Sequence, residues 1–490
     1  MYLTQFPIQD FFLLAVIPSL MGPLQALMAL LPQILLALAA FFTAIFSVQS
    51  WRLRAQAASQ KAAKNKLVVS IVALVIVAIG FGGWWLYKQG QQSALMVQPK
   101  QTATPTNPGV SPANPLAVSP SPNDPPPVAP GPQLPSPKVA WKITGQLTDF
   151  SPSPTVRGDF VYLGGGQGSA FTGTSGFVAC VKASDGTEIW RFPTPRHVFS
   201  SPAVADGSVL FGEGLHTDRE TNLYCLDEKN GQLRWKFTIP SHLESSPLIA
   251  NGRVYFGGGD AGVYCVNLAD GTEIWHRRGW HVDTRGALAD GKLIVGTGYD
   301  PLTVACLEAA TGKILWEYTP EVSAWGEPRI VGSQVIIGIG NGTYSGPAAS
   351  PEGSLLALNL SDGKELWRVR LSDAIFGAPA IEGDRAYFGC RDGHVYAVDL
   401  GKGTIVWKQR IGSPVLCSPR YYNGSIVFGA NDGQIRALRA TDGTPLWQFN
   451  AKIFGGFGCR IISTPALADG KLYVGLSPGA FLALTEFSFN

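Results

Sequence analysis

The sequence predicts an all-β fold over residues 139–490, an eight-bladed β-propeller of four-stranded antiparallel blades, preceded by N-terminal transmembrane helices. Three observations carry the propeller. First, a glycine turn leading into a tryptophan strand recurs as DGTEIW (185–190), NGQLRW (230–235), DGTEIW (270–275), TGKILW (311–316), DGKELW (362–367), KGTIVW (402–407) and DGTPLW (442–447). Its base period is forty residues, lengthened in two repeats. Second, each repeat carries an upstream Pro-containing strand such as SPAVADG (201–207), SPLIANG (246–252), APAIEGD (378–384), SPRYYNG (418–424) or TPALADG (464–470). Two more short alternating strands follow it, such as VYFGGG and VYCVNL, so one repeat makes a four-stranded sheet joined by Gly/Asn/Asp turns. Such a sheet is apolar on both faces and is stable only when stacked on others around an axis. Third, the last repeat (463–486) has three strands and no tryptophan strand, whereas VAWKITG (139–145) stands alone ahead of the first.

From the N-terminus, residues 1–96 read as a membrane module. Residues 67–86 are twenty uncharged, mostly apolar residues ending in Trp84, Trp85 and Leu86. At about 1.5 Å per residue they cross about 30 Å of hydrocarbon. Residues 11–48 are also apolar but carry Pro18, Pro23 and Pro32. They are expected to supply one spanning helix near 25–48 behind a short interfacial or re-entrant piece. The linking segment 51–66 holds Arg52, Arg54, Lys61, Lys64 and Lys66 and no acid, which places it in the cytoplasm and sends the chain outward after residue 86. The expected location is a bacterial inner membrane with an extracytoplasmic, periplasmic head. Residues 97–138 contain fourteen prolines; they are expected to form a disordered, extended stalk that bears the head away from the bilayer.

Residues 1–138 hold eight basic and two acidic residues, so the 38 basic and 35 acidic residues of the chain leave 139–490 with a formal charge of −3. A weakly acidic head argues against nucleic acid as a partner. Pairing VAWKITG with the three C-terminal strands closes the ring, makes Trp141 the eighth repeat tryptophan and removes the unpaired sheet edges. Trp141, Trp190, Trp235, Trp275, Trp316, Trp367, Trp407 and Trp447 are expected to be structural wedges between blades. Each buried indole hides about 150–250 Å², at most about 4–6 kcal/mol. Trp280 and Trp325 lie off the repeat position and are freer to act.

The repeat resembles the pyrroloquinoline-quinone-like (PQQ-like) β-propeller family, with its Ala-x-Asp-x-x-Thr-Gly-x-x-x-Trp tryptophan-docking motif; YAVDLGKGTIVW (396–407) matches it best. The resemblance covers 139–490. It implies a role shared with quinone-dependent dehydrogenases, with the lipoprotein that helps assemble outer-membrane barrels, or with sensor domains attached to membrane proteins. No two cysteines are adjacent, whereas the dehydrogenases carry a vicinal pair over the cofactor, and most blades here are minimal. The balance tips towards the assembly lipoprotein, with two hydrophobic segments in place of its lipidated cysteine. No cofactor is therefore expected, pyrroloquinoline quinone being the one the resemblance leaves open.

Cys180, Cys225, Cys265 and Cys306 each stand ten residues before a tryptophan, where later repeats have Ala357, Ala397 and Ala437. A slot shared by Ala and Cys requires a small buried side chain. Cys390, Cys417 and Cys459 lie off the slot, and Cys417 with Cys459 is the pair placed to bridge. No Cys-x-x-Cys spacing exists, and no residue is assigned to a metal by motif.

Aligned on the strand-opening Pro (Gly286 in the fourth blade), His197, His242 and His281 occupy one slot five residues ahead of it. Asp149, Ser323, Ala374, Pro414 and Arg460 fill the slot elsewhere. Glu244, Asp283 and Trp325 lie two residues on, with Arg285 nearby. One reading is a polar pocket at the channel mouth for an anionic or metal ligand, built from the imidazoles and Arg460. The other is three solvated loop histidines that do not converge. His216, His276 and His394 show no grouping. The longer loops 164–176, 212–222 and 338–353 are expected on the same face. GGGQG (164–168) and GGGD (257–260) lack the helix and lysine of a phosphate cradle and read as turns. The expected function is a non-enzymatic binding or scaffolding module of the cell envelope, taking a protein partner or a small ligand. The alternatives are a quinone-dependent oxidoreductase and a polysaccharide-binding or polysaccharide-degrading head with Trp280 and Trp325 as platforms.

Overall fold

The computed structural model describes residues 134–145, 148–168, 175–299, 301–456 and 458–487. Both hydrophobic segments, the basic loop and nearly all of the proline-rich stretch lie outside the described residues. Among the described residues no helix is long and apolar enough to cross a membrane.

Eight antiparallel sheets follow one another along the chain, six in the simple order of their strands. Blade 2, for example, runs Ala203–Ala205, Ser208–Gly212, Thr221–Asp227 and Leu233–Ile239 from the inside outward. The three-residue inner strands are half-buried throughout and surround the central channel. The middle strands, such as Arg253–Gly257, are almost wholly buried beyond their first residue because both faces pack on neighbouring blades. In blade 1 the innermost position is split. Thr148–Asp149 pairs with the far end of Phe160–Gln167, and Thr155–Arg157 with its near end, so this sheet has five strands.

The eighth blade is built from both ends of the propeller. Lys138–Thr144 pairs with Ala480–Thr485, Trp141 facing Ala483, outside Lys471–Gly475 and Ala466–Ala468. Trp141 then reaches blade 1, where its Nε1 donates to the Ala183 carbonyl at 3.0 Å. The same bond crosses the next blade boundaries from Trp190 to Glu228, Trp235 to Leu268, Trp275 to Ala309, Trp316 to Leu360, Trp367 to Leu400 and Trp407 to Ala440, at 2.9–3.1 Å. Trp447 is buried and packs on Phe487.

Two features of the repeat acquire a physical cause here. The turn glycine of each repeat lies under the indole of the preceding blade. At Gly271 φ is +73°, and a Cβ would stand 2.6 Å from the Trp235 ring. Only glycine supplies both that conformation and that space. The small-residue slot lies directly across the ladder from the blade's own tryptophan, Cys265 opposite Trp275 and Ala397 opposite Trp407. A β-bulge next to each pair re-aims the indole. All seven cysteines are free and buried. The Cys417–Cys459 bridge does not form, because the Cys417 thiol turns to the Gly429 carbonyl at 3.3 Å while Cys459 packs beneath Gly455.

Candidate functional site at the mouth of the channel

The slot six residues ahead of each inner strand is a recurring backbone position. At six of the eight slots its carbonyl accepts an N–H from the end of the second strand, or the loop after it, of the blade it leads into. The pairs are His197 with Gly214, His281 with Gly298, Ser323 with Gly340, Ala374 with Arg391, Pro414 with Asn431 and Arg460 with Ser477, all at 2.8–3.0 Å. These two sets of loops therefore share one face, as expected. The side chains in the slot point inward between blades, so His197, His242 and His281 are buried rather than solvated.

Burial does not bring all three together. His197 Nε2 lies 3.0 Å from Asp149 Oδ2, the acid in the same slot one blade earlier. Burial lowers Arg460, and the charge of this acid opposes that. Neither His197 nor Arg460 lines the cavity described below. His242 and His281 do converge, through Asp283. His242 Nε2 lies 2.9 Å from Asp283 Oδ1, and His281 Nε2 lies 2.7 Å from Oδ2. The other nitrogen of His281 is 2.7 Å from Asp260 Oδ1. His216, from the loop between Ser208–Gly212 and Thr221–Asp227, completes a triangle of imidazoles with centroid separations of 4.6, 5.1 and 5.3 Å. Its Nδ1 stands 4.0 Å from Asp283 Oδ2. Tyr299 covers the group, 4.6 Å from His281 and 5.2 Å from Trp325.

The electrostatics follow from burial and pairing. Burial alone would raise the Asp283 carboxyl, but its bonds to His242 and His281 hold it well below the usual carboxylate range. Burial, reinforced by the Asp283 charge, pushes Glu244 up to about 8. Two neighbouring carboxylates thus take opposite protonation states near neutrality. Burial opposes the charged form of His281, yet its bonds to Asp283 and Asp260 raise it on balance. Burial lowers His216, and the charge of His242 lowers it further.

This cluster opens on a cavity of about 550 Å³ at the channel axis. The residue two after the slot forms its ring of lining: Ser151, Phe199, Glu244, Asp283, Trp325, Phe376, Leu416 and Ile462. One side is acidic and the other apolar. Tyr344, from the loop between Gln334–Gly340 and Gly353–Asn359, lies over the apolar side, 4.5 Å from Phe376 and 6.2 Å from Phe199. Arg285, Arg329, Arg420 and Glu327 also line the cavity. Burial lowers Arg285 and Arg420, with Glu327 opposing.

The family model described as outer membrane protein assembly factor BamB matches residues 174–285, 259–346 and 348–486, more than half of the chain. The chain belongs to the PQQ-like β-propeller repeat family. PQQ-like propellers of different function share its architecture. BamB of Moraxella catarrhalis superimposes with a TM-score of 0.56 at 16% identity, covering 71% of this chain and 100% of that one. The quinohemoprotein alcohol dehydrogenase of Pseudomonas putida HK5 gives 0.52 at 15% identity, over 71% and 76%. The computationally designed Ika8 protein gives 0.57 at 14%, over 71% and 99%. No curated protein sequence matches the chain.

Of the residues singled out in the sequence of this PQQ-like propeller, the structure brings Glu244, Asp283, Arg285 and Trp325 to one cavity, with His242 and His281 held against Asp283. It sets His197 and Arg460 apart beside Asp149. His216 belongs to the site although its position follows no repeat register; the length of its loop was the available signal. Asp260 sits in the GGGD turn, which is a turn as expected but also holds His281. Trp280 is buried under Arg277, and Trp325 is buried too, so neither offers an open sugar platform.

Proposed function

We propose that this PQQ-like propeller is a membrane-anchored, extracytoplasmic binding and scaffolding module of the cell envelope. It takes a protein segment or small ligand at the histidine-bearing mouth of its channel, without chemistry of its own. The observation that carries this reading is the divided lining of the cavity. Glu244, Asp283 and His216 share one opening with Phe199, Phe376, Leu416 and Tyr344, the combination of apolar wall and placed polar groups that binding pockets use. The matched BamB is covered end to end, whereas about a quarter of the dehydrogenase lies outside the match. That favours a head built of blades alone. The family description names an assembly factor for outer-membrane proteins, which supports a protein partner in the envelope. Residues 67–86 and 51–66 support the anchor and its orientation.

The test is photo-crosslinking in intact envelopes with the full chain. A crosslinker replacing exposed Thr343, above the mouth, is expected to trap one discrete partner or ligand. A crosslinker replacing Leu366, exposed on the outer strand Glu365–Leu371, is expected to trap none. Equal trapping from both positions, or none from the mouth, overturns the binding site. A dye-linked dehydrogenase signal after addition of pyrroloquinoline quinone and Ca²⁺ overturns the non-enzymatic reading.

A further inference from the structure

We propose that His216, His242, His281 and Asp283 form a binding site for one divalent transition-metal cation of the zinc class, at the acidic side of the channel mouth. The inference rests on the side-chain geometry of the candidate site and not on the scaffold reading.

The chain has six histidines, and three of them gather here. Each of the four residues offers a ligand atom, and these atoms all lie within 4.8 Å of one another. A tetrahedral ion with bonds of about 2.0–2.1 Å needs its ligand atoms about 3.3 Å apart. His242 and His281 already reach Asp283 within that distance, at 2.9 and 2.7 Å. His216 Nδ1 is farther out, 4.0 Å from Asp283 Oδ2, and its side chain is 51% exposed on a loop free of strand pairing. All three rings turn a nitrogen towards the same carboxylate, so an ion seated among them replaces shared protons rather than breaking packing.

His281 supplies the second reason. Its two nitrogens each lie 2.7 Å from a carboxylate oxygen, Asp260 on one side and Asp283 on the other. The imidazolium donates to both, whereas the neutral imidazole, the form that ligates a metal, has a single N–H. With that N–H donated to Asp260, the other nitrogen presents its lone pair towards Asp283, and a cation between them satisfies both. A carboxylate holding the far nitrogen of a ligating histidine is the usual outer support of such sites. Within this geometry Asp260 is a positioning residue. On His242 the corresponding support is the Ser241 hydroxyl, 3.3 Å from Nδ1. The remaining histidines lack this convergence: His197 meets Asp149 alone, His394 meets Asp392, and His276 stacks on Tyr264.

The donor set selects the metal. Three imidazoles and one carboxylate suit zinc and its late first-row neighbours and disfavour calcium and magnesium, which prefer oxygen ligands throughout. No cysteine belongs to the group, and all seven are buried. The ligands come from the loop inside blade 2, the loop between blades 2 and 3, and the loop between blades 3 and 4. The ion therefore ties three blades together beside the cavity.

The test uses the full-length chain in detergent, stripped with a chelator and titrated with Zn²⁺ by calorimetry. One equivalent per chain is expected, with a rise in melting temperature, whereas Ca²⁺ binds far more weakly. His281→Gln is expected to abolish binding. His216→Ala alters an exposed loop residue and leaves the fold intact, and it is expected to weaken binding sharply. Asp260→Asn should weaken it about 10- to 100-fold and shift the visible spectrum of the Co²⁺-loaded protein, a readout that a purely structural role leaves unmoved. His394→Ala should bind as the unaltered chain does. The proposal is overturned if the stripped chain takes up no zinc, if His216→Ala and His281→Gln bind it unchanged, or if the Co²⁺ spectrum shows thiolate ligation. None of these outcomes bears on crosslinking at Thr343, so the binding reading stands or falls separately.

Discussion

The indole of Trp235 shows how one residue serves two blades. It donates to the Leu268 carbonyl at 2.9 Å and roofs Gly271 of the next sheet. Trp235→Ala removes the bond, the ring and the wedge together. The expected loss is about 3–5 kcal/mol, read as a shift of the urea midpoint at unchanged slope. Gly271→Ala should destabilise from the other side of the same contact, since its Cβ would collide with the ring and its φ is left-handed. Glu244 yields a pH prediction. Its carboxyl, near 4.5 when unfolded, is pushed up to about 8 in the folded protein, so the folded state binds the proton more tightly. Its contribution is complete below pH 4.5 and is lost as pH rises towards 8. Glu244→Gln carries no such penalty. In chelator-treated protein its melting temperature should gain on that of the unaltered chain as pH climbs from 5 to 9. A difference that is flat across that range would remove the buried-proton account.

At the scale of the strand, the small-residue slot is set by the ladder. Cys180, Cys225, Cys265 and Cys306 each face the tryptophan of their own blade, and Ala357, Ala397, Ala437 and Ala483 do the same. The thiols are therefore packing groups, and Cys265→Ala should cost only about 1 kcal/mol. Cys265→Leu should cost about 1–3 kcal/mol by overpacking against Trp275. Thermal melts of the pair check this; equal effects would mean that the slot tolerates bulk. The interblade loops behave differently from the strands. Their backbones repeat from blade to blade, while their side chains range from Asp149 through His242 to Arg460. The loop carrying Tyr344 is an insertion that crosses the mouth, and it brings an aromatic ring where the repeat alone places none.

For the whole molecule, stability depends on closing a circle. Lys138–Thr144 lies at one end of the propeller sequence and pairs with Ala480–Thr485 at the other. Leu134 and Ser136, just before it, bond to Leu446 and Gln448 of blade 7. Deleting 134–145 should leave Ala480–Thr485 as an open edge and strip blade 1 of the Trp141 wedge. A lower melting temperature and concentration-dependent aggregation are expected; unaltered melting would mean that the ring does not rely on this closure. Sequence alone determined the number of blades, their closure, the tryptophan wedges and the small-residue slot. Each follows from a period of forty residues whose registers repeat locally, so a reading of one blade transfers to the next. The register also marked the slot holding His197, His242 and His281, and the acid two residues beyond two of them. Only the tertiary structure decided which of these meet. Successive blades fan out around an axis, so equal positions in neighbouring repeats turn their side chains in different directions. His197 turns back to Asp149, while His242 and His281 turn to the Asp283 carboxylate between them. His216 and Asp260 arrive from loops outside that slot's register, and no periodicity could have announced them.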